Sequence, residues 1–445
     1  MKKTYIYSMM AAAMAMGFTA CTGEEDDLFD QSAAERLNQT SDVYSARLQA
    51  QPNGWAMQLY PTTDSEAPYG SGYLLLLRFA DDKSVNVAMN NKFTGDEFRQ
   101  ATSAWEVIAD NGPVLTFNTY NANLHAFSDP EDIPWTGTAE QRNNEQGEGC
   151  QGDYEYIIVD APTDASYMML KGKKRGTYNL LTPLEVGVDY EQYLADVKAF
   201  QAEMFAHTQT YNVIHFGDSV YKMVNAQEGI PNIYPFDGDE VTDARFNPFL
   251  VTKRGNDYYL RFRDAIDWIE GVKVQDFRYN TETDRFESQE NSAFFIQGDT
   301  AMNVFGPSLD SKDIWVIDTT QVCDSMRQVL AEIRAELTAV KRPMPVFDLR
   351  NLGTKYVLRA TMTGKQDPEF TFEATPEEDG VTYQYVQPNN NNARLLLNSL
   401  AKSTQKLLDM LSRRFRVEAA ASNFNLSRLR LVATDNPDVY INISK

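Results

Sequence analysis

Histidine is nearly missing from this 445-residue chain, which has only His125, His207 and His215. No His-Glu-x-x-His pair occurs, so a zinc peptidase of that kind is excluded. There is no Gly-x-Ser-x-Gly elbow, phosphate-binding glycine loop or dinucleotide fingerprint, and neither Cys150 nor Cys323 has a histidine near it in sequence. Cysteine is scarce too: beyond Cys21 only those two remain, too few for a disulfide framework or a cysteine-built metal site. They are 173 positions apart, and both a pair and two buried thiols remain open. Basic residues are outnumbered, 41 against 63 acids, for a formal net charge of −22. Such a body repels polyanions, so nucleic acid and anionic headgroups are excluded as main partners. After the first 20 residues no apolar run approaches the roughly 18 residues a membrane helix needs.

What is present begins at the N-terminus. Lys2 and Lys3 precede an apolar stretch from Tyr5 to Ala20 that ends in Phe18-Thr19-Ala20-Cys21. The stretch is short for a span but suits the apolar region of a secretory signal. Its end resembles the lipobox of bacterial lipoproteins, in which small residues fit a narrow peptidase pocket and the cysteine thiol accepts diacylglycerol. Residues 1–20 are therefore expected to be a signal peptide and Cys21 the lipidation site. The run Glu24-Glu25-Asp26-Asp27 that follows resembles a surface-export signal, within an acidic tether over 21–30.

The rest of the chain alternates helical and strand patterns. Leu37, Tyr44 and Leu48 share one helical face, with Ser32 and Glu35 spaced as a capping box, and Pro52-Asn53-Gly54 stops the helix. Period-2 runs follow, such as Val85/Val87/Met89, Leu115/Phe117 and Tyr154/Tyr156/Ile158, separated by short turns. A second stripe (Tyr190, Tyr193, Leu194, Val197, Phe200, Met204, Phe205) predicts a helix before another strand block containing Tyr258/Leu260/Phe262 and Phe277/Tyr279. A third (Val322, Met326, Val329, Ile333, Leu337, Val340) ends at Pro343, a fourth helix is expected over 393–415, and Leu429/Leu431 with Val439/Ile441/Ile443 form a final hairpin. This predicts an α+β fold, predominantly antiparallel β-sheet units with intervening amphipathic helices, divided as 31–187, 188–320 and 321–445. Helix followed by sheet thus occurs three times, without a residue-level match between the blocks.

Candidate sites are few. Asp237-Gly238-Asp239-Glu240 with Asp243 offers carboxylates on a glycine turn, but it lacks EF-hand spacing and reads as a solvated acidic turn. No metal or cofactor is expected. A carboxylate pair for glycoside hydrolysis could come from distant strands, but the sequence singles out none. Trp55, Trp105 and Trp315 sit in strand patterns and are expected in the core. Trp135, in the polar stretch 128–152, and Trp268, in Asp267-Trp268-Ile269-Glu270-Gly271, are the candidates for stacking on a sugar ring, the alternative being half-buried packing.

Several segments form a recognisable set: Phe29-Asp30-Gln31-Ser32-Ala33-Ala34-Glu35-Arg36, Pro52-Asn53-Gly54-Trp55, Asp110 to Asn121, His125, Gly152-Asp153-Tyr154-Glu155-Tyr156 and Gly172-Lys173-Lys174. Over residues 20–185 they resemble a family of Bacteroidetes outer-membrane surface lipoproteins of unassigned function. Such proteins accompany SusC/SusD-type nutrient-uptake systems and, in some cases, secreted metallopeptidases. The resemblance implies location and context and brings no catalytic residues. The expectation is a non-enzymatic surface lipoprotein, held in the outer membrane by Cys21, that helps capture a glycan or other nutrient beside an importer. A fimbria-like structural subunit and an unrecognised hydrolase are the alternatives.

Overall fold

A computed structural model describes residues 33–65, 70–110, 112–129, 150–205, 211–362 and 366–445. Strand outweighs helix, 39% against 23%, and every ladder is antiparallel, so the fold is mixed α+β with β dominant. Helix α1 (Ala33–Gln49) precedes a nine-stranded sheet: β1 Trp55–Leu59, β2 Tyr73–Phe79, β3 Ser84–Met89, β4 Arg99–Ala104, β5 Glu106–Ala109, β6 Pro113–Thr116, β7 Glu155–Asp160, β8 Met168–Gly172 and β9 Tyr178–Pro183. Their spatial order is 4-3-2-1-9-8-7-6-5. The end strands, β4 and β5, are separated in the chain by Trp105 alone, so the sheet curls back on itself. In effect Arg99–Ala109 is one bent strand whose first half pairs with β3 and whose second half pairs with β6. Trp105 occupies the bend, where its backbone and indole N–H groups donate to Lys83 O and Ser84 O, both at 3.0 Å.

Helix α2 (Tyr190–Phe205) precedes the second sheet: β10 Asn212–Phe216, β11 Ser219–Val224, β12 Asn232–Pro235, β13 Arg245–Phe246, β14 Phe249–Arg254, β15 Asp257–Ile266, β16 Val274–Asn280, β17 Arg285–Ser288 and β18 Phe294–Gln297. Its order, 13-12-11-10-18-17-16-15-14, repeats that of the first sheet strand for strand. Here Asn247-Pro248 makes the bend, β13 pairing with β12 and β14 with β15. Proline suits such a corner because it has no N–H to leave unpaired. Helix followed by sheet is therefore a shared topology in these two units. The third differs. After helix α3 (Ala301–Ser308), the strands β19 Ile314–Ile317, β20 Val346–Asn351, β21 Tyr356–Thr361, β22 Glu369–Pro376, β23 Gly380–Pro388, β24 Arg414–Ala419, β25 Arg428–Ala433 and β26 Tyr440–Ser444 close into a barrel through β19–β26 pairing. The division expected at 320/321 falls inside this barrel, between β19 and helix α4 (Asp324–Ala339); that expected at 187/188 falls between β9 and α2.

Inward-facing alternate residues fill each ring. Trp55, Leu75, Leu77, Val85, Val87, Phe117 and Tyr156 form the first core, joined by Leu48 of α1. Of the expected α2 stripe, Tyr193, Leu194, Val197, Met204 and Phe205 are buried on the second sheet and Tyr190 and Phe200 half-buried, and α4 buries Met326, Ile333 and Leu337 in the third core. Trp55, Trp105 and Trp315 are fully buried, as the strand patterns predict.

The helix expected over 393–415 is not continuous. A short helix, Asn391–Leu395, widens into a π turn at Leu396–Leu400 and breaks at Ala401 (φ −150°, ψ 81°); helix α5 then spans Thr404–Leu411. From Arg414 the chain is strand, because β24 must fill the place between β23 and β25 that closes the barrel. Tertiary pairing thus overrides a local apolar stripe.

The units are packed together. In β2, Leu75 and Leu77 enter the first core, whereas Leu74 and Leu76 face the second apolar cluster around α2 with Ala56 and Ala88. Gly54, at φ +84°, lets the chain pass beneath α2, where an added Cβ would lie 2.2 Å from Leu77 O and 2.3 Å from the Tyr190 hydroxyl. Phe424, from the β24–β25 connection, inserts edge-on against Phe286 of the second unit.

Candidate functional site

Most of the residues singled out from sequence can be placed. Cys21, Glu24 to Asp27, Trp135 and His207 lie outside the described residues. Trp268 is half-buried. Its indole N–H donates to Asn247 Oδ1 at 3.4 Å, Tyr221 meets it edge-on at 5.9 Å, and the Arg245 guanidinium is 5.5 Å from its ring centre. Cys150 is buried beside the first ring and Cys323 in the third core, so no disulfide joins them. The carboxylates around Gly238 serve the backbone: Asp239 Oδ1 accepts from Val241 and Thr242 N–H at 2.9 and 3.1 Å, and Asp243 Oδ2 accepts from Asp239 N–H at 2.8 Å. They cap a single helical turn. Among the described residues no group of three His, Cys, Asp or Glu is placed to hold a metal ion.

Three of the motif segments, Asn121 to His125, Gly152 to Tyr156 and Gly172 to Lys174, lie at one end of the first ring, whereas Pro52 to Trp55 lies at the other, beside Pro183 at the end of β9. Lys173 Nζ bridges Asp110 at 2.8 Å and Glu155 at 3.0 Å. Asp153 is buried, which pushes its carboxyl above the usual range, although Arg175 and Lys174 N–H groups donate to it and pull the other way. The Asn123 amide donates to Val87 O at 2.8 Å and Arg99 O at 3.0 Å, tying the loop after β6 to β3 and to the start of β4. His125 Nδ1 accepts from Asn121 N–H at 3.1 Å and its ring lies between Tyr120 and Tyr154, 5.5 Å from each. Burial holds this imidazole below its ordinary pKa, so it is neutral at pH 7. Much of this set therefore braces the ring.

The first and second units enclose a cleft of about 350 Å³. One wall is α2, through Leu194, Val197, Lys198 and Gln201; the other comprises Ser71 to Leu74 and the turn from Asn90 to Asp96, with Gln227 to Gly229 and Phe249 to Val251 at the end. Two exposed ion pairs span it. Lys198 Nζ reaches Asp96 at 2.8 Å and Asn90 Oδ1 at 3.2 Å, and Lys92 Nζ reaches Glu228 at 3.0 Å. The floor is apolar. Tyr73 packs against Phe93 and Phe127, and burial raises its phenol pKa, so it stays protonated. The lining contains no histidine and no cysteine. Amides and charges over an apolar floor, placed between units, are the usual make-up of a small-molecule site. Sequence reading missed this cleft, because Lys198 and Gln201 look like ordinary solvated positions on an amphipathic helix until β2 is packed beside them.

The molecule is thus a mixed α+β chain of three antiparallel β-rings, with a polar cleft between the first two. It belongs to the family described as "Domain of unknown function (DUF4302)", whose model matches residues 25–281, from ahead of α1 through β16. No curated protein matches it in sequence. Among solved structures it is similar to the β subunit of the DNA polymerase of Streptococcus pyogenes, at 9% identity over 92% of this chain and 97% of that one, with a TM-score of 0.14. It is also similar to a transferrin binding protein B variant from Haemophilus parasuis (10% identity, 83% of this chain, 64% of that one, TM-score 0.12) and to isotype 1 transferrin binding protein B from serogroup B Neisseria meningitidis (9%, 87%, 67%, 0.13). These scores are too low to relate the folds.

Proposed function

We propose that this protein is a non-enzymatic lipoprotein of the outer cell surface, anchored through Cys21, that helps capture a glycan or another polymeric nutrient beside a SusC/SusD-type importer. The observation that carries the capture role is the inter-unit cleft: about 350 Å³, lined by amides and ion pairs, without histidine or cysteine. The lipobox-like Phe18-Thr19-Ala20-Cys21 and the acidic run after it support the location. No helix among the described residues is long and apolar enough to cross a membrane, so attachment in this reading rests on the lipid. Ring closure favours capture over a fimbria-like subunit. Strand exchange needs an open edge, whereas the third barrel is closed and the end strands of the other two rings are halves of one bent strand.

The test has two arms. Labelled fatty acid should enter the wild-type protein and not Cys21→Ala, and added protease should remove the wild type from intact cells. Acylation of Cys21→Ala, or survival of the wild type on intact cells, overturns the location. The lipid-free chain should be retarded in native gels containing a neutral polysaccharide; migration unchanged across a broad glycan and peptide panel overturns the capture role.

A further inference from the structure

A second cavity lies on the other flank of α2, against the second ring. Its volume is about 420 Å³, within the range of small-molecule sites, about 300–1,000 Å³. Phe200 faces it. This residue lies in the apolar stripe of α2 yet is only half-buried, because the space beside it is unfilled. Its ring lies flat on Tyr258, with centroids 3.8 Å apart and planes 1° from parallel, and Tyr279 meets it edge-on at 5.3 Å. Three half-buried aromatic rings therefore make the apolar part of the lining.

The polar part is divided in a telling way. Three of the four charged groups are held by protein partners: Arg278 donates to Asp257 at 2.9 Å, and Glu287 accepts from the Asn280 amide at 3.1 Å and the Thr283 hydroxyl at 2.8 Å, while the exposed Glu282 carboxylate makes no hydrogen bond to the described residues. The side-chain amides of Asn256 and Gln289, both exposed, make no hydrogen bond to the described residues. Each can donate and accept at once, which is what a hydroxyl on a sugar ring requires. Acids outnumber the one arginine in the lining, so an anionic sugar is disfavoured.

Building on the capture role proposed above, we propose that the cavity between α2 and the β14–β17 end of the second ring is a binding site for a neutral sugar. The Phe200/Tyr258/Tyr279 cluster takes the apolar ring face, and Asn256 and Gln289 take its hydroxyls. Because α2 walls this cavity and the inter-unit cleft on different faces, one rigid helix carries both.

The test uses the lipid-free chain in native gels containing starch, xyloglucan, mannan or galactan, with polygalacturonate as the acidic control. At least one neutral gel should retard the wild type and polygalacturonate should not. The double variant Asn256→Ala/Gln289→Ala changes only exposed side chains, so it keeps the fold, and it should weaken retention about tenfold through loss of two hydrogen bonds. Tyr258→Ala should weaken it further, with folding checked by circular dichroism. The cleft variant Lys198→Ala/Gln201→Ala reports the cleft separately, and the loss caused by Asn256→Ala/Gln289→Ala should appear on that background too. Retention that falls only in the cleft variant overturns this site and leaves the capture role standing. Retention by polygalacturonate alone overturns the neutral-sugar assignment. No retention in any gel overturns both.

Discussion

Leu76 tests whether the first two units share a core. It lies mid-strand in β2 and is fully buried, although its side chain points away from its own ring. Were the rings independent, that face would be wet and Leu76→Ala nearly neutral. In the packed molecule the change removes three buried carbon groups at about 0.8 kcal/mol each, or about 2.4 kcal/mol. The cavity left behind adds to this, bringing the cost to about 3–4 kcal/mol. The assay is urea unfolding followed by tryptophan fluorescence and calorimetry together, since a chain of three rings need not unfold in one step. Trp55 and Trp105 report the first ring and Trp268 the second. Leu76→Ala should weaken both signals together, whereas Leu75→Ala, whose side chain enters only the first core, should act mainly on the first. A loss of a few tenths of a kcal/mol for Leu76→Ala, or an effect confined to one ring, would refute the shared core.

Other outcomes follow from single contacts. Trp315→Phe removes the buried indole donor to Ser308 Oγ (2.9 Å) and should cost about 1–3 kcal/mol in the third barrel's unfolding; an unchanged urea midpoint would contradict this. Phe424→Ala empties the insertion into the second ring and should cost about 3–5 kcal/mol, exposing the β24–β25 connection to limited proteolysis, which an unchanged digestion pattern would rule out. The ion pair with Lys253 holds the Asp196 carboxyl below its usual pKa, so its contribution is present above the normal aspartate range and is lost as pH falls through the lowered value. Asp196→Asn should therefore flatten the acid limb of a urea midpoint-versus-pH curve, and parallel curves would dismiss the pair.

What the sequence determined by itself is periodicity. Alternation at Val85/Val87/Met89 and Leu260/Phe262, and the stripes of α2 and α4, report which face of each element is apolar, and the structure buries most of those faces, leaving Phe200 half-buried and Val340 exposed. The core tryptophans were legible for the same reason: their burial follows from residue type and spacing. What the tertiary structure decided is which partner each face meets. Period-2 patterning cannot say that Arg99–Ala109 changes partners at Trp105, since both halves look like strand; only the closing of the ring needs it. Nor can it assign Leu74 and Leu76, because a strand apolar on both sides states that two neighbours exist and not which ones. The helical stripe after residue 393 lost its end to β24 because ladder hydrogen bonds in a closing barrel outweigh local propensity. The two cavities beside α2 belong to the same class. Phe200 reads as core until packing leaves space next to it, and Lys198 and Gln201 read as solvent until β2 faces them across a cleft. A concave site is made by surfaces from distant parts of the chain, and no single window of sequence contains it.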